Sequence, residues 1–181
     1  MEPEMGWKNV KEHYRIGHIV RMSGEEIHIG SPYILDILVI NRQGELLKRY
    51  DGWDEELARY QREMEADPQM LRQLIEAPDT FGCLTSVYTY AGAEVIEKFC
   101  EAPGYPNVTS DGELMYDNAF STDKQKVVGW AKRYASSGAA HYRRDIAEVE
   151  QQLKNLKTRL AECESDRAAL DARYPTISCE N

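Results

Sequence analysis

The 181-residue chain has no stretch near the roughly eighteen apolar residues that a bilayer-spanning helix needs. Its start, Met1 to Arg15, carries acids where a secretory signal has a basic end and an apolar core. A soluble, cytoplasmic protein with no membrane partner is therefore expected. Cysteine is scarce: Cys83, Cys100, Cys163 and Cys179 form no CxxC pair, which argues against a disulfide framework or zinc site and for free thiols. Asn107-Val108-Thr109 has the form of a glycosylation acceptor, which matters only in a secretory pathway. Also missing are a Walker loop, GxGxxG, GxSxG, HExxH and an EF-hand loop, so no motif asks for a cofactor or defines an enzyme. Positive charge is in deficit, with a formal net charge of -9. Acids and bases nearly balance from Ala135 to Tyr174, which puts the excess on the rest of the chain. Such a surface repels nucleic acid and anionic membrane, and it suits either a basic protein partner or solubility alone.

What the sequence does have is a long heptad stripe. Ala139, Ile146, Leu153, Leu160, Arg167 and Tyr174 fall at position a, and Ala135, Tyr142, Val149, Leu156, Cys163 and Leu170 at d, with no proline before Pro175. The spacing predicts a coiled-coil helix over 139–175, about 54 Å long from Ala139 to Tyr174 at 1.5 Å per residue, with a tail over 176–181. Its oligomerisation residues are Tyr142, Ile146, Val149, Leu153, Leu156, Leu160, Cys163 and Leu170, and a homodimer is expected. Parallel pairing sets Asp145 against Glu150 and Asp166 against Asp171, with only Arg159 and Glu164 attracting. Antiparallel pairing sets Arg143 against Asp171 and Asp145 against Arg173, with Glu150 facing Glu164, so the charges lean towards antiparallel. Arg167 at an a position weakens the far end and disfavours large oligomers.

Upstream, the pattern reads as an α+β globular domain over 1–135. Tyr14 to Met22 alternates as a half-buried strand, Glu25 to Ile29 is a second, and Tyr33 to Ile40, apolar on both parities except Asp36, should be the central strand. Asn41 to Gly44 turns the chain onto Glu45 to Tyr50, completing an antiparallel meander whose closure into a barrel is left open. Asp54-Glu55-Glu56 opens a helix with Leu57, Tyr60 and Met64 on one face, and Asp67-Pro68 opens a second with Leu71, Leu74 and Ile75. This pair should cover one face of the sheet. A second hairpin is expected from Cys83 to Phe99, turning at Ala91-Gly92, and the irregular stretch 101–120 should hold one short extra hairpin at Asp111-Gly112. Thr122 with Gln125 offers a capping box for a last helix bearing Val127, Trp130, Ala131 and Tyr134. That face is out of phase with the heptads, and Ser136-Ser137-Gly138 sit at the change, so a kink or break is expected at 136–138.

Three groupings are candidates for function. Tyr88, Tyr90, Tyr105 and Tyr116, with the acids Asp111, Glu113 and Asp117, suit a protein-binding surface, since tyrosine buries area at low entropic cost. Ordinary sheet tyrosines and a solvated loop read the same way. The three acids can alternatively hold a hard cation or supply general acid and base, which points to a metal-dependent hydrolase or nucleotide-handling enzyme. His18 and His28 approach one another if the first two strands pair, although no third metal ligand stands nearby and lone sheet histidines are commonly structural.

The run Tyr14-Arg15-Ile16-Gly17-His18-Ile19-Val20, followed by Ile29-Gly30-Ser31-Pro32-Tyr33-Ile34, resembles small proteins encoded by bacteriophages and prophages. No motif in it defines an activity, so no functional residue is carried over. The resemblance implies a context in which small acidic proteins bind and block a host complex, including defence nucleases such as CRISPR effectors. The expectation is thus a non-enzymatic, anti-defence interaction module that self-associates through its last helix. Its partner would be a host protein complex, itself nucleic-acid-binding, with no direct nucleic-acid contact. A phage structural or assembly protein is a further alternative.

Overall fold

The computed structural model describes residues 5–175, so the 176–181 tail and Cys179 lie outside the described residues. It is an α+β structure, and it divides into two compact units, one up to Ala131 and one from Lys132.

The first unit begins with a helix, α1 (Trp7–His13), which the sequence pattern does not predict. Trp7, Val10 and Tyr14, at helical spacing, are its buried side. Glycine at the N-cap, Gly6, brings no side chain to the open amides of the first turn. A carboxylate from far along the chain supplies the missing acceptor: Asp79 accepts from the backbone N–H of Lys8 (3.0 Å) and of Asn9 (2.8 Å). Gly6 itself lies so close to the backbone of Leu74 that an added Cβ would stand 2.1 Å from its carbonyl oxygen. The helix stops at Arg15, whose φ of +51° is left-handed. Ile16 N–H returns to the carbonyl of Lys11 and Arg15 N–H to that of Glu12, the paired bonds of a helix end where glycine is usual. A side chain there costs on the order of 1 kcal/mol.

Because the chain turns at Arg15, the expected strand over 14–22 shortens to β1 (Ile19–Ser23). It pairs with β2 (Glu26–Gly30), then β3 (Leu38–Asn41) and β4 (Leu46–Lys48), all antiparallel and in that order. The run expected to begin a central strand at Tyr33 begins it only at Leu38. Ser31 Oγ accepts from Tyr33 and Ile34 N–H, and Ser31 N–H returns to the Ile34 carbonyl, folding 31–34 into a loop with Tyr33 95% exposed. Gly44 takes the left-handed turn position, φ +79°. The sheet stays open: the outer edge of β1 meets the Gly112 turn, Met22 N–H donating to the Gly112 carbonyl at 2.8 Å.

Asp54 caps α2 (Glu55–Ala66) and Asp67 caps α3 (Pro68–Glu76), as the sequence predicts. Leu57, Tyr60, Met64, Leu71 and Ile75 join Val20, Ile27, Ile29, Leu38 and Ile40 in one core, so the helical pair covers the sheet. The second hairpin, β5 (Thr85–Ala91) and β6 (Glu94–Cys100), turns where expected, and β7 (Asn107–Val108) with β8 (Leu114–Met115) is the short extra hairpin. Val87, Cys100, Met115 and Phe120 make a smaller second core.

The last helix, α4 (Lys124–Arg173), runs on without interruption through Ser136-Ser137-Gly138, so the break expected at 136–138 is not there. Asp123 rather than Thr122 caps it, its Oδ1 accepting from Gln125 N–H (2.9 Å) and Lys126 N–H (3.3 Å), which puts a full negative charge at the positive end of the helix dipole. Tyr134, expected on the inner face, is 72% exposed.

Asp79→Ala is expected to lower stability by about 1 kcal/mol, since it strips the first turn of α1 of both acceptors. The loss stays near that figure because burial already pushes the Asp79 carboxyl above its ordinary range, against the pull of the two N–H bonds. The urea unfolding midpoint followed by circular dichroism checks it.

Candidate interaction surfaces

Antiparallel register decides which candidate residues share a surface. Tyr88 pairs with Glu97 and Tyr90 with Val95, while Val87 pairs with Lys98 and Thr89 with Ile96. Residues alternate across a strand, so Tyr88, Tyr90, Val95, Glu97 and Phe99 share one face and Val87, Lys98 and Cys100 the other. On the first face Tyr88 and Tyr90 are half-buried and Phe99 is exposed. The Tyr88 hydroxyl donates to Glu97 (3.2 Å), and the Lys124 ammonium stands 5.6 Å from its ring centre. That carboxylate and burial together hold the Tyr88 hydroxyl above its ordinary pKa.

The acids are on the other side. Lys98, its side chain 19% exposed, reaches between Asp111 Oδ2 at 2.5 Å and the Glu113 carboxylate. The Thr109 hydroxyl also donates to Asp111. Burial pushes the Asp111 carboxyl up, and the Lys98 ammonium and Thr109 hydroxyl more than reverse it, holding it below the ordinary carboxylate range. The Lys98 ammonium is raised in turn, burial notwithstanding. The cation that the sequence reading imagined between these carboxylates is therefore a lysine of the same chain. Asp117 stands apart from them and acts on the Tyr105 hydroxyl, which burial first of all raises. Among the described residues no three His, Cys, Asp or Glu side chains converge as metal ligands.

Tyr105 and Tyr116 are tied down. The Tyr105 hydroxyl donates to the Phe120 carbonyl (2.8 Å) and that of Tyr116 to the Pro32 carbonyl (3.4 Å), so each braces a loop. Of the seven residues expected to form one binding surface, Tyr88 and Tyr90 share one face of the hairpin, Asp111 and Glu113 meet Lys98 from the other, Tyr105 and Tyr116 brace loops, and Asp117 acts on Tyr105. His18 and His28 also stay apart: the register sets Arg21 opposite His28 and leaves His18 before the first strand. His28 Nε2 lies 3.0 Å from Glu26, and His18 packs edge-on against Tyr60.

The seam residues of α4 behave as one group. Tyr142, Ile146, Val149, Leu153, Leu156, Leu160 and Leu170 are between 50% (Leu153) and 67% (Tyr142) exposed, and Cys163 is exposed with a free thiol. What the sequence reading passed over is a cleft of about 300 Å³ beside α1, lined in part by Trp7, Lys11 and Arg15. The spacing of Trp7, Val10 and Tyr14 was the signal available for it. Comparison with known proteins finds no matching family model, no matching curated protein and no matching solved structure.

Lys98→Met should destabilise the chain by about 1 kcal/mol at neutral pH, because it leaves Asp111 and Glu113 facing each other without a cation. Asp111's folded pKa lies below its unfolded value, so its contribution is complete above the unfolded value and is lost as pH falls through the folded one. Denaturant titrations at neutral pH and near pH ~3 should accordingly show the gap between wild type and variant closing in acid.

Proposed function

We propose that the chain is a protein-interaction module that self-associates through α4, with a second copy of the same helix as the occupant of its seam. The observation that carries this is an aliphatic stripe running from Tyr142 to Leu170 along an unbroken helix with its side chains half or more exposed. Apolar surface repeated along that much of one helix face marks an interaction site. The charge pattern chooses the orientation. In a parallel pair Arg167, which lies 3.8 Å from Asp171 of its own helix, would meet its own copy inside the seam, a like-charge contact. In an antiparallel pair with Leu156 facing Leu160, Arg167 faces Val149, Leu153 faces Cys163, and Ile146 faces Leu170. The flanking positions then set Arg143 against Asp171 and Asp145 against Arg173, which offsets Glu150 against Glu164 and the self-facing Lys157 and Arg159. Each exposed pair contributes only a few tenths of a kcal/mol, so Arg167 is the larger influence.

The first unit supplies recognition in this reading. Residues 1–131 carry 23 acidic and 13 basic side chains, against eight and nine in 132–181. A basic protein surface is the partner such a charge attracts, with association slowed as salt rises. The likeness to phage-encoded proteins adds a nucleic-acid-binding host complex as that partner, its phosphate site met by carboxylates.

Light scattering should give a dimer mass for the full chain and a monomer for Leu156→Asp. In a background lacking Cys83 and Cys179, mild oxidation should cross-link Leu153→Cys chains through Cys163 and leave the parent chain uncross-linked. A monomeric wild type removes self-association, and a parent chain that cross-links through Cys163 shows the helices to be parallel.

A further inference from the structure

The cleft beside α1 combines an apolar lining with charge that the fold has left unneutralised. Trp7, Ile16 and Val108 in its lining are buried and Phe81 half-buried, with the Trp7 and Phe81 rings 6.3 Å apart between centres. Its charged lining is Lys8, Lys11, Arg15, Glu12 and Glu101. Both carboxylates are engaged by Lys8: Glu101 at 2.7 Å and Glu12 at 3.5 Å. The Lys8 ammonium also donates to the Thr80 carbonyl and stands over the Phe81 ring. That leaves Lys11 and Arg15, whose side chains make no ion pair or hydrogen bond with any described residue.

Each of these cations sits where the fold alone would favour something else. Lys11 is half-buried, and burial pushes its ammonium below the ordinary lysine range although the Glu12 charge works the other way. Arg15 occupies the left-handed helix-ending position that glycine fills without strain. Two departures from local preference that bring positive charge to one concavity point to a use for that charge. We propose that this cleft binds a small organic anion, a flat apolar ring system bearing one phosphate or carboxylate, with the ring against Trp7 and Phe81 and the anion at Lys11 and Arg15.

Size and field select that class. A volume of about 300 Å³ is at the small end for ligand sites and admits one ring system with its substituents. A nucleic-acid strand would carry repeated charge across the acidic surface of residues 1–131, whereas a single anion responds to charges within the roughly 8 Å screening length.

The indole N–H of Trp7, which donates to the Ser110 carbonyl (3.2 Å), is a reporter inside the cleft for proton–nitrogen NMR of the full chain. Titration with 1-naphthyl phosphate and with 2-naphthoate should move that resonance saturably, and the tighter of the two identifies the anionic group. Inorganic phosphate and uncharged 2-naphthol should each bind at least about tenfold more weakly, since each offers half of the recognition. Arg15→Gly and Lys11→Met should each weaken binding about tenfold while holding or raising the melting temperature, because each removes a locally unfavourable residue. Should one variant lose stability, binding by the other decides. No saturable shift with either naphthyl anion up to about 10 mM, or unchanged affinity in the stable variants, overturns the assignment.

Discussion

Aliphatic surface that stays in water is unfavourable by about 25 cal/mol per Å², and the two units deal with it in opposite ways. In the first, α1, α2 and α3 bury their stripes with the inward residues of the meander in one continuous cluster. In the second, the described residues form a single helix on which Ile146, Val149, Leu153, Leu156 and Leu160 are half or more exposed. The proposed role of α4 depends on that contrast. If a second copy covers the stripe, the helix is an assembly device, and if nothing covers it, the chain carries a standing liability to aggregate.

Elements whose ends are written in side chains were legible in the sequence. Asp54 and Asp67 announce α2 and α3 because a carboxylate at an N-cap is a local signal, and Ala91-Gly92 announces the β5–β6 turn for the same reason. The misreadings come from the opposite situation. α1 is seven residues long with a glycine N-cap, and its acceptor, Asp79, arrives from some seventy residues away, which no local window contains. The apolar run from Tyr33 looked like a strand throughout, yet the Ser31 hydroxyl captures the amides of Tyr33 and Ile34 before they can join a ladder. At 136–138 the poor propensities of Ser, Ser and Gly do not break the helix. Together they cost on the order of 2 kcal/mol, while starting a new helix on the far side would incur the nucleation penalty again.

The candidate site was legible as residue types and not as an arrangement. Acids at 111–117 and tyrosines at 88–116 are where the sequence reading put them, but sheet parity and Lys98 determine what they can do. Lys98 is two residues from Cys100 on a strand whose other face carries Glu97 and Phe99, so one lysine of ordinary appearance turns an apparent cation site into an internal ion cluster. Such a cluster holds the β7–β8 turn to β6, and Gly112 within that turn has a φ of +84° and takes the Met22 amide. The acidic loop therefore links two parts of the fold, and Asp111 and Glu113 are committed to that task.

The cleft and the acidic excess belong wholly to residues up to Ala131, and the stripe belongs to residues from Lys132, so the proposed ligand site and the proposed self-association draw on different side chains. The seam is also modest in strength: Arg167 and Cys163 interrupt an otherwise aliphatic row, and Ala139 adds little area at its start. A weak seam makes association depend on concentration. If two copies join through it as proposed, they carry two acidic surfaces on one particle, and for a partner with repeated basic sites the second contact would become intramolecular, raising overall affinity without any new residue. Modest self-affinity then suffices, because a partner that engages both copies also holds them together.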